Sequence, residues 1–356
     1  MENRVTIYDI AKELGVSTAT VNRALNDKPG VGDVMRKRVK ETAKSMGFTV
    51  NHIAKSLARP PIHLCFIIYN HVPVFHDEIT AGVRHEANNL KDFNVNFTIH
   101  ALRGDAFAAH RDYIDCLQNM LAGQKPDGLL MMVSAQTNEL YGYVQKMCEA
   151  GIKVALVSSD LPGSGRLFSC HQNAGLAGKM AAELLYRMVP TGKVAAFTGY
   201  KNVQDHFDSI NGFQSECKRR GMEVIAICEN HDDSNFAAYN AEQLFKQHPE
   251  IEGIYINTAN SVSICNKLKE MGLAGKVRVV TSDIFQELVR FMREDVVQAT
   301  IFQDPFRQGR TALKHLYRNI GDGVVPPADI LIRPQVVLQS NLDEFMQFLN
   351  DDDDDK

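Results

Sequence analysis

The chain has 356 residues, 44% of them hydrophobic and 23% charged, with a formal net charge of −4. That make-up belongs to a globular protein of two or three domains, and it excludes a collagen-like or disordered chain; no uninterrupted apolar run is long enough to span a bilayer. The charge is unevenly divided, because residues 1–59 hold eleven Lys or Arg against six Asp or Glu, giving +5 and leaving −9 for the remainder. One end suits a polyanion and the bulk does not. The opening MENRVTIYDI lacks the basic start, apolar stretch and small-residue cleavage site of a secretory signal, so a cytoplasmic location is expected.

Thr6 with Asp9 three residues on predicts an N-cap and capping box ahead of a helix whose Ile7, Ile10, Ala11 and Leu14 share a face. Gly15 stops it. Ser17 can cap a second helix, STATVNRAL, across a short Gly-containing connection, which is the spacing of a helix-turn-helix. A third helix is predicted from near Asp33 through VMRKRVKETAKSM, with Val34, Val39, Ala43 and Met46 inward and Gly47 as terminator. If Val16, Val21 and Leu25 turn to the small core, the second helix presents Thr18, Ala19, Asn22 and Arg23 outward. Arg can bond a guanine edge through two hydrogen bonds, Thr or Ala can meet a thymine methyl, and Ser17 and Thr20 suit phosphates. A helix face merely exposed to water carries similar residues, so this helix does not decide alone. Residues Asn51–Arg59 have the potential for about two helical turns, stopped by Pro60 and Pro61. So short a helix frays unless something packs on it. Its Ile53, Ala54 and Leu57 form an apolar edge beside Lys55 and Arg59. Two copies could wedge leucines into a minor-groove step; an ordinary linker is the other reading.

From Ile62 on, apolar runs alternate with helical patterns: HLCFIIY, VNFTIHAL, GLLMMVS, KVALVSS, KVAAFTG, VIAICE, GIYINT, VRVVTS and QATIFQ. Continuous apolar strands between helices mean parallel sheets covered on both faces, a doubly wound α/β region. The runs are too many for one small sheet, so two similar lobes with a cleft between them are expected. Ligands in such folds sit beyond the carboxyl ends of the strands. The residues there are Asn70, Phe75, His76, Ser134, Asp160, His206, Asp208, Asn257, Asp283 and Gln303. Short polar groups with one aromatic suit a hydroxylated ligand, bonded at its hydroxyls and packed on one face. Singly, each could be a turn or cap residue; their recurrence at strand ends carries the argument.

The seven cysteines are scattered, odd in number and never spaced as CxxC, which points to core thiols and to neither a disulfide nor a metal site. No HExxH, GxSxG, GxxxxGK[ST] or GxGxxG occurs, and His71 and His76 stand five apart, off a shared ligand face. No enzyme activity and no cofactor are expected. LPGSGR, Leu161–Arg166, reads as a crossover between lobes.

The run VTIYDIAKELGVSTATVNRALN followed by NHIAKSLA resembles the head and hinge of the lactose-repressor (LacI/GalR) family of transcriptional regulators. The resemblance implies phosphate contacts from Thr6, Tyr8, Ser17 and Asn26, base reading by Thr18, Ala19 and Arg23, and a minor-groove wedge of Ala54 with Leu57, with Asn51 and Lys55 beside it. Asn22 stands where the family more often has Ser or another small residue. The core resembles the sugar-binding core of the same family and periplasmic ribose-type binding proteins. In QATIFQDPFRQG, Gln303 matches a sugar-bonding Gln; in VVTSD, Asp283 matches a hydroxyl-binding Asp; Phe75 matches the aromatic against the ring. Two positions depart from the pattern. Ser209 stands where these proteins usually carry a sugar-gripping Arg, so that His206 or Asp208 substitutes or the effector differs, and Gln172 stands where Asp is frequent.

The expected organisation is a helix-turn-helix head over 1–50, a hinge helix over 51–61 and a two-lobed core over 62–349. The first lobe takes about 62–160 and 304–322, the second about 161–303 and 323–349. The acidic tail 350–356, NDDDDDK, resembles a protease-recognition tag and is set aside. The expected function is a homodimeric repressor that reads a near-palindromic operator and responds to a sugar or polyol-like effector. Two other classes stay open: a sugar-processing enzyme localised by its head, and an architectural DNA-binding protein.

Overall fold

The computed structural model describes residues 5–25, 28–48, 56, 59–70, 73–102, 106–133, 138–190, 192–258 and 260–351. The chain divides into two compact units, Met1–Pro60 and Pro61–Lys356.

In the first unit, helices α1 (Ile7–Leu14), α2 (Thr18–Leu25) and α3 (Asp33–Ser45) surround a small core of Ile10, Ala11, Val21, Ala24, Val39 and Ala43. The ends are set locally. The Asp9 carboxylate accepts from the Thr6 N–H at 2.8 Å and the Thr6 hydroxyl at 2.7 Å, Gly15 turns left-handed at φ 66°, and Ser17 Oγ accepts the Thr20 N–H at 3.1 Å. Those bonds satisfy helix-end donors that the helix itself cannot. One expectation fails: Val34 is 85% exposed. The inward face of α3 runs through Val39 and Ala43, and the residue one turn before Val39 is Met35, which packs on the core instead.

The second unit holds two six-stranded sheets. The first has the order β2-β1-β3-β4-β5-β11, built from β1 (Ile62–Tyr69), β2 (Val95–Leu102), β3 (Gly128–Met132), β4 (Lys153–Val157), β5 (Phe168–Gln172) and β11 (Asp329–Ile332), all parallel. The second has the order β7-β6-β8-β9-β10-β12, built from β6 (Lys193–Thr198), β7 (Glu223–Glu229), β8 (Ile251–Ile256), β9 (Arg278–Ser282), β10 (Ala299–Phe302) and β12 (Gln335–Val337). The orders correspond strand for strand, but β12 runs antiparallel to β10. The central β3 is buried at every position, whereas edge strand β2 alternates between half-buried and exposed residues over its first six.

Helices cover both faces of each sheet. On the first, α4 (Pro73–Asn89) and α12 (Pro305–Asp322) lie on one face, with α5 (Ala106–Ala122) and α6 (Asn138–Glu149) on the other. On the second, α7 (Ala174–Met188) and α8 (Gln204–Arg220) oppose α9 (Ser234–Gln247), α10 (Ser261–Glu270) and α11 (Gln286–Arg293). A last helix, α13 (Leu342–Asp351), packs Leu342 and Phe345 on the second core.

The two-lobed architecture is as the strand pattern predicts, with three added strands. FSCHQ of β5 is too polar to stand out as a buried run, and DILI and QVV are short. Because β5 and β11 join the first sheet, residues 161–172 and 323–332 belong with the first lobe, not the second as expected from the sequence. LPGSGR therefore links β4 to β5 within one sheet and is no crossover. The chain changes sheets between Gln172 and Ala174, between Phe302 and Pro305, and between Ile332 and Gln335.

Candidate effector cavity and DNA-contact helix

The carboxyl ends of both sheets border one cavity, enclosing about 780 Å³ of empty space with its mouth included. From the first lobe come Phe75, His76, Met132, Val133, Ser158, Ser159 and Gln172; from the second come Val203, Asp205, His206, Ser209, Asp232, Asn257, Thr258, Asp283 and Gln303. Gln172 and Gln303 stand at two of the three crossovers, so a ligand bonded to them touches the segments about which the lobes join.

Asp283 lies just past β9 with left-handed backbone at φ 65°. A conformation that costs an L-residue about 1–2 kcal/mol is held here by β10: Asp283 N–H donates to the Ile301 carbonyl at 3.0 Å, and Thr300 Oγ1 donates to the Asp283 carbonyl at 2.6 Å. Its carboxylate accepts the Gln303 side-chain amide at 2.6 Å and the Gln303 N–H at 3.3 Å. Burial pushes the carboxyl up to about 7, and these two neutral donors only partly oppose it. Ser158 and Asp232 also line the cavity with positive φ, 63° and 54°. Strain of this kind gathers where side chains must be aimed.

His206, on α8, has its Nδ1 at the Tyr200 backbone, 3.0 Å from the N–H and 3.2 Å from the carbonyl oxygen, which fixes the ring against the turn after β6. Gly199 permits that approach, since a Cβ there would stand 2.5 Å from His206 Cε1 and 2.4 Å from an Asp232 oxygen. Asp205 Oδ1 lies 3.2 Å from His171 Nδ1, at an angle short of a proper hydrogen bond. Burial raises the Asp205 carboxyl, with His171 opposing; burial works against a charge on His171, but Asp205, then Asp160 and Asp329, hold its pKa above the ordinary value. Ser209 bonds Tyr255 at 3.0 Å, with Ser282 a further 3.4 Å beyond that hydroxyl.

Of the ten strand-end positions expected from the sequence, Phe75, His76, His206, Asn257, Asp283 and Gln303 meet in this cavity, and Ser134 lies outside the described residues. Asp160 and Asp208 do not line it. Asp160 is bonded by Arg166 and by the Leu161 N–H, because the chain turns into the cavity one step earlier, at Ser158 and Ser159. Asp208 accepts from Gln204 at 3.0 Å and borders a separate surface groove; Asp205 and Ser209, four apart, hold the inner face of α8. Asn70 is likewise occupied, bonding Asp77 at 2.6 Å. Asp205 and Asp232 were missed. The first directly precedes His206, and the second sits in the polar NHDDSN after β7, where strand-end reasoning could have found it.

Among the described residues, one group has metal-ligand types close together: Asp160, His171 and Asp329. Arg166 bonds both carboxylates, at 2.5 Å to Asp160 Oδ2 and 2.7 Å to Asp329 Oδ1, so the group is an ion-pair cluster joining β5 and β11 to the turn after β4. The described cysteine thiols are raised where they depart from their ordinary range, Cys170 and Cys265 to about 12, by burial, which is the state of inert core residues.

In the first unit, Thr6, Tyr8, Ser17, Ala19, Asn22 and Arg23 are exposed and Thr18 and Thr20 half-buried, so each of these residues expected to meet DNA is open to solvent at least in part. Exposed Lys37, Lys40 and Lys44 add a basic row on α3 that the sequence reading left out. Asn26, Asn51, Ala54, Lys55 and Leu57 lie outside the described residues.

Residues 6–51 match the model of bacterial regulatory proteins of the lacI family, and residues 65–323 match the periplasmic binding protein domain. The HTH-type transcriptional repressor PurR of Vibrio atlanticus is 22% identical over 346 residues, 95% of this chain and 98% of that protein. Catabolite control protein A of Priestia megaterium is 29% identical over 156 residues, 44% of each chain. GanP, a glucose-galactose binding protein from Geobacillus stearothermophilus, superposes with a TM-score of 0.73 at 20% identity, covering 80% of this chain and 99% of that one, which shows the shared fold. No helix among the described residues is long and apolar enough to cross a membrane. A helix-turn-helix head ahead of a two-lobed binding domain, each matched by its own model, makes this chain a member of the lacI family of bacterial regulatory proteins.

Proposed function

We propose that the protein is a homodimeric transcriptional repressor whose hold on a near-palindromic operator is set by a small hydroxylated effector in the interlobe cavity. The observation that carries the reading is the cavity itself: carboxylate, amide and hydroxyl groups from both lobes converge on it, two of them at the crossovers. An effector that bonds both lobes favours one lobe arrangement by its differential affinity. Residues 51–59 couple the two sites. The two-turn helix that the sequence predicts there is too short to persist alone, so on this reading its formation depends on DNA and on its twin, and a small change in their separation decides it. A coupling of about 1–3 kcal/mol changes operator affinity roughly 5- to 150-fold.

Two-fold symmetry of the protein demands two-fold symmetry of the site. Arg23→Ala is expected to cost about 1–3 kcal/mol of operator affinity and to relax base preference at one position of each half-site, with effector affinity unchanged. Competition binding against single-base operator variants measures this; an equal loss on operator and random duplex would remove Arg23 from base reading. The effector is tested by thermal denaturation of the full chain against a panel of sugars and polyols. A binder of the folded state raises the melting temperature, and a panel without one contradicts the proposed effector class.

A further inference from the structure

We infer that the effector is a hydroxylated amine, of amino-sugar or amino-polyol type, held by its positive charge as well as by its hydroxyls. The inference rests on the cavity being the effector site. Three carboxylates reach that cavity from three separate segments: Asp205 in the first turn of α8, Asp232 in the loop after β7 and Asp283 in the loop after β9. Among the described residues that line it, none is Lys or Arg. The place where the resemblance led one to expect Arg is held by Ser209, whose hydroxyl is committed to Tyr255 at 3.0 Å. Asp283 has the neutral Gln303 as its bonded partner, and His206 turns its Nδ1 to the Tyr200 backbone and away from the carboxylates. Of the other imidazoles, His76 lines the wall and His171 stands behind Asp205.

A second observation points to the same ligand from its polar side. Asn257, 6% exposed, has both amide heteroatoms buried without a hydrogen-bond partner, and Gln172, 7% exposed, has its Oε1 in the same condition; both residues line the cavity. Buried amide groups left unbonded are costly, and hydroxyls satisfy both donors and acceptors. An acid or phosphate ester would enter among three carboxylates with no described cation to meet it. A neutral sugar would satisfy the amides but bring no cation to Asp232 and Asp283, whereas Asp205 already has His171 beside it. An ammonium group beside hydroxyls satisfies both, and Phe75 offers an apolar wall. The raised Asp283 carboxyl fits a carboxylate awaiting a cationic partner.

The test is titration calorimetry on the full chain with two matched sets: D-glucose, D-glucosamine and D-glucuronate, and D-galactose, D-galactosamine and D-galacturonate. In at least one set the amine should bind about tenfold or more tighter than its neutral partner, and neither acid should bind. In Asp232→Asn the ratio of amine to neutral-sugar affinity should shrink to about threefold or less; an undiminished ratio overturns the inference. A neutral sugar or acid that matches or exceeds its amine, or failure of both amines to bind, overturns the inference. If a neutral sugar or polyol is then found to bind in the cavity, the effector reading survives without it; if no sugar, polyol or amine binds, both fall.

Discussion

Asp283→Asn is expected to raise the melting temperature of the ligand-free protein at pH 8 while abolishing its response to effector. Burial lifts the Asp283 carboxyl from an ordinary 3.8 to about 7. Below pH 4 the folded and unfolded chains both hold this proton, and the group has no effect on stability. Between pH 4 and 7 the unfolded chain releases it while the folded chain keeps it, so stability falls as pH rises, and above 7 the full penalty remains. At about 1.4 kcal/mol per unit the penalty is at most about 4 kcal/mol, and relaxation of the cavity brings it to about 1–3 kcal/mol. An amide of the same shape removes that penalty. It also loses the carboxylate that faces the ligand. A site that is stabilised by losing its own function is one in which binding offsets a built-in strain. The measurement is a pair of thermal scans at pH 5 and pH 8, with and without a ligand found in the panel. The variant should gain at pH 8 and little at pH 5; an unaltered melting temperature at pH 8, or a retained ligand shift, contradicts the account.

The largest purely structural effect is expected at Gly212. Helices α7 and α8 meet backbone to backbone: a Cβ on Gly212 would stand 2.1 Å from the Gly175 carbonyl oxygen, and one on Gly178 would stand 1.9 Å from that of Ser209. The first lobe repeats the device, with Gly82 against Phe306 and Gly309 against Ile79 at 1.9 and 2.2 Å. No side-chain rotation relieves an overlap with main chain, so Gly212→Ala must part the helices. That is expected to cost about 3 kcal/mol, despite the better helix propensity of Ala. Gly142, in α6 with nothing within 4 Å of its would-be Cβ, is the control, and Gly142→Ala should be neutral or stabilise by up to about 1 kcal/mol. Urea denaturation of both variants reads the difference; equal midpoints would show that α7 and α8 can yield. Because Asp205 and Ser209 face the cavity from α8, the Gly212 variant should bind effector more weakly as well.

What the sequence told depended on how local the physics was. The head was legible almost to the residue, because a Thr6–Asp9 box, Gly15 and Ser17 set helix ends within a few positions of themselves. Val34 misled because a hydrophobic residue in a first turn has no obligation to face inward. In the core, apolar runs showed nine strands and hid three, of which β5 carries Ser169, His171 and Gln172 and pairs only through long-range closure with β4 and β11. Missing those strands moved the lobe boundaries and turned LPGSGR into a crossover. The cavity was legible wherever a strand ends in a side chain aimed forward, as at Asn257, Asp283 and Gln303. On α8 it was legible only at His206, because rotation of 100° per residue decides that Asp205 and Ser209 also face the ligand space and Asp208 does not.

The central claim is that a DNA reader and an effector cavity in one chain are energetically coupled. Full-length protein used to select duplexes from a randomised pool should enrich a near-palindromic sequence bound about a thousandfold or more tighter than scrambled DNA. A ligand that binds the cavity should then change that affinity roughly 5- to 150-fold. Enrichment of no symmetric sequence, or an operator affinity indifferent to a ligand that demonstrably fills the cavity, would contradict the account.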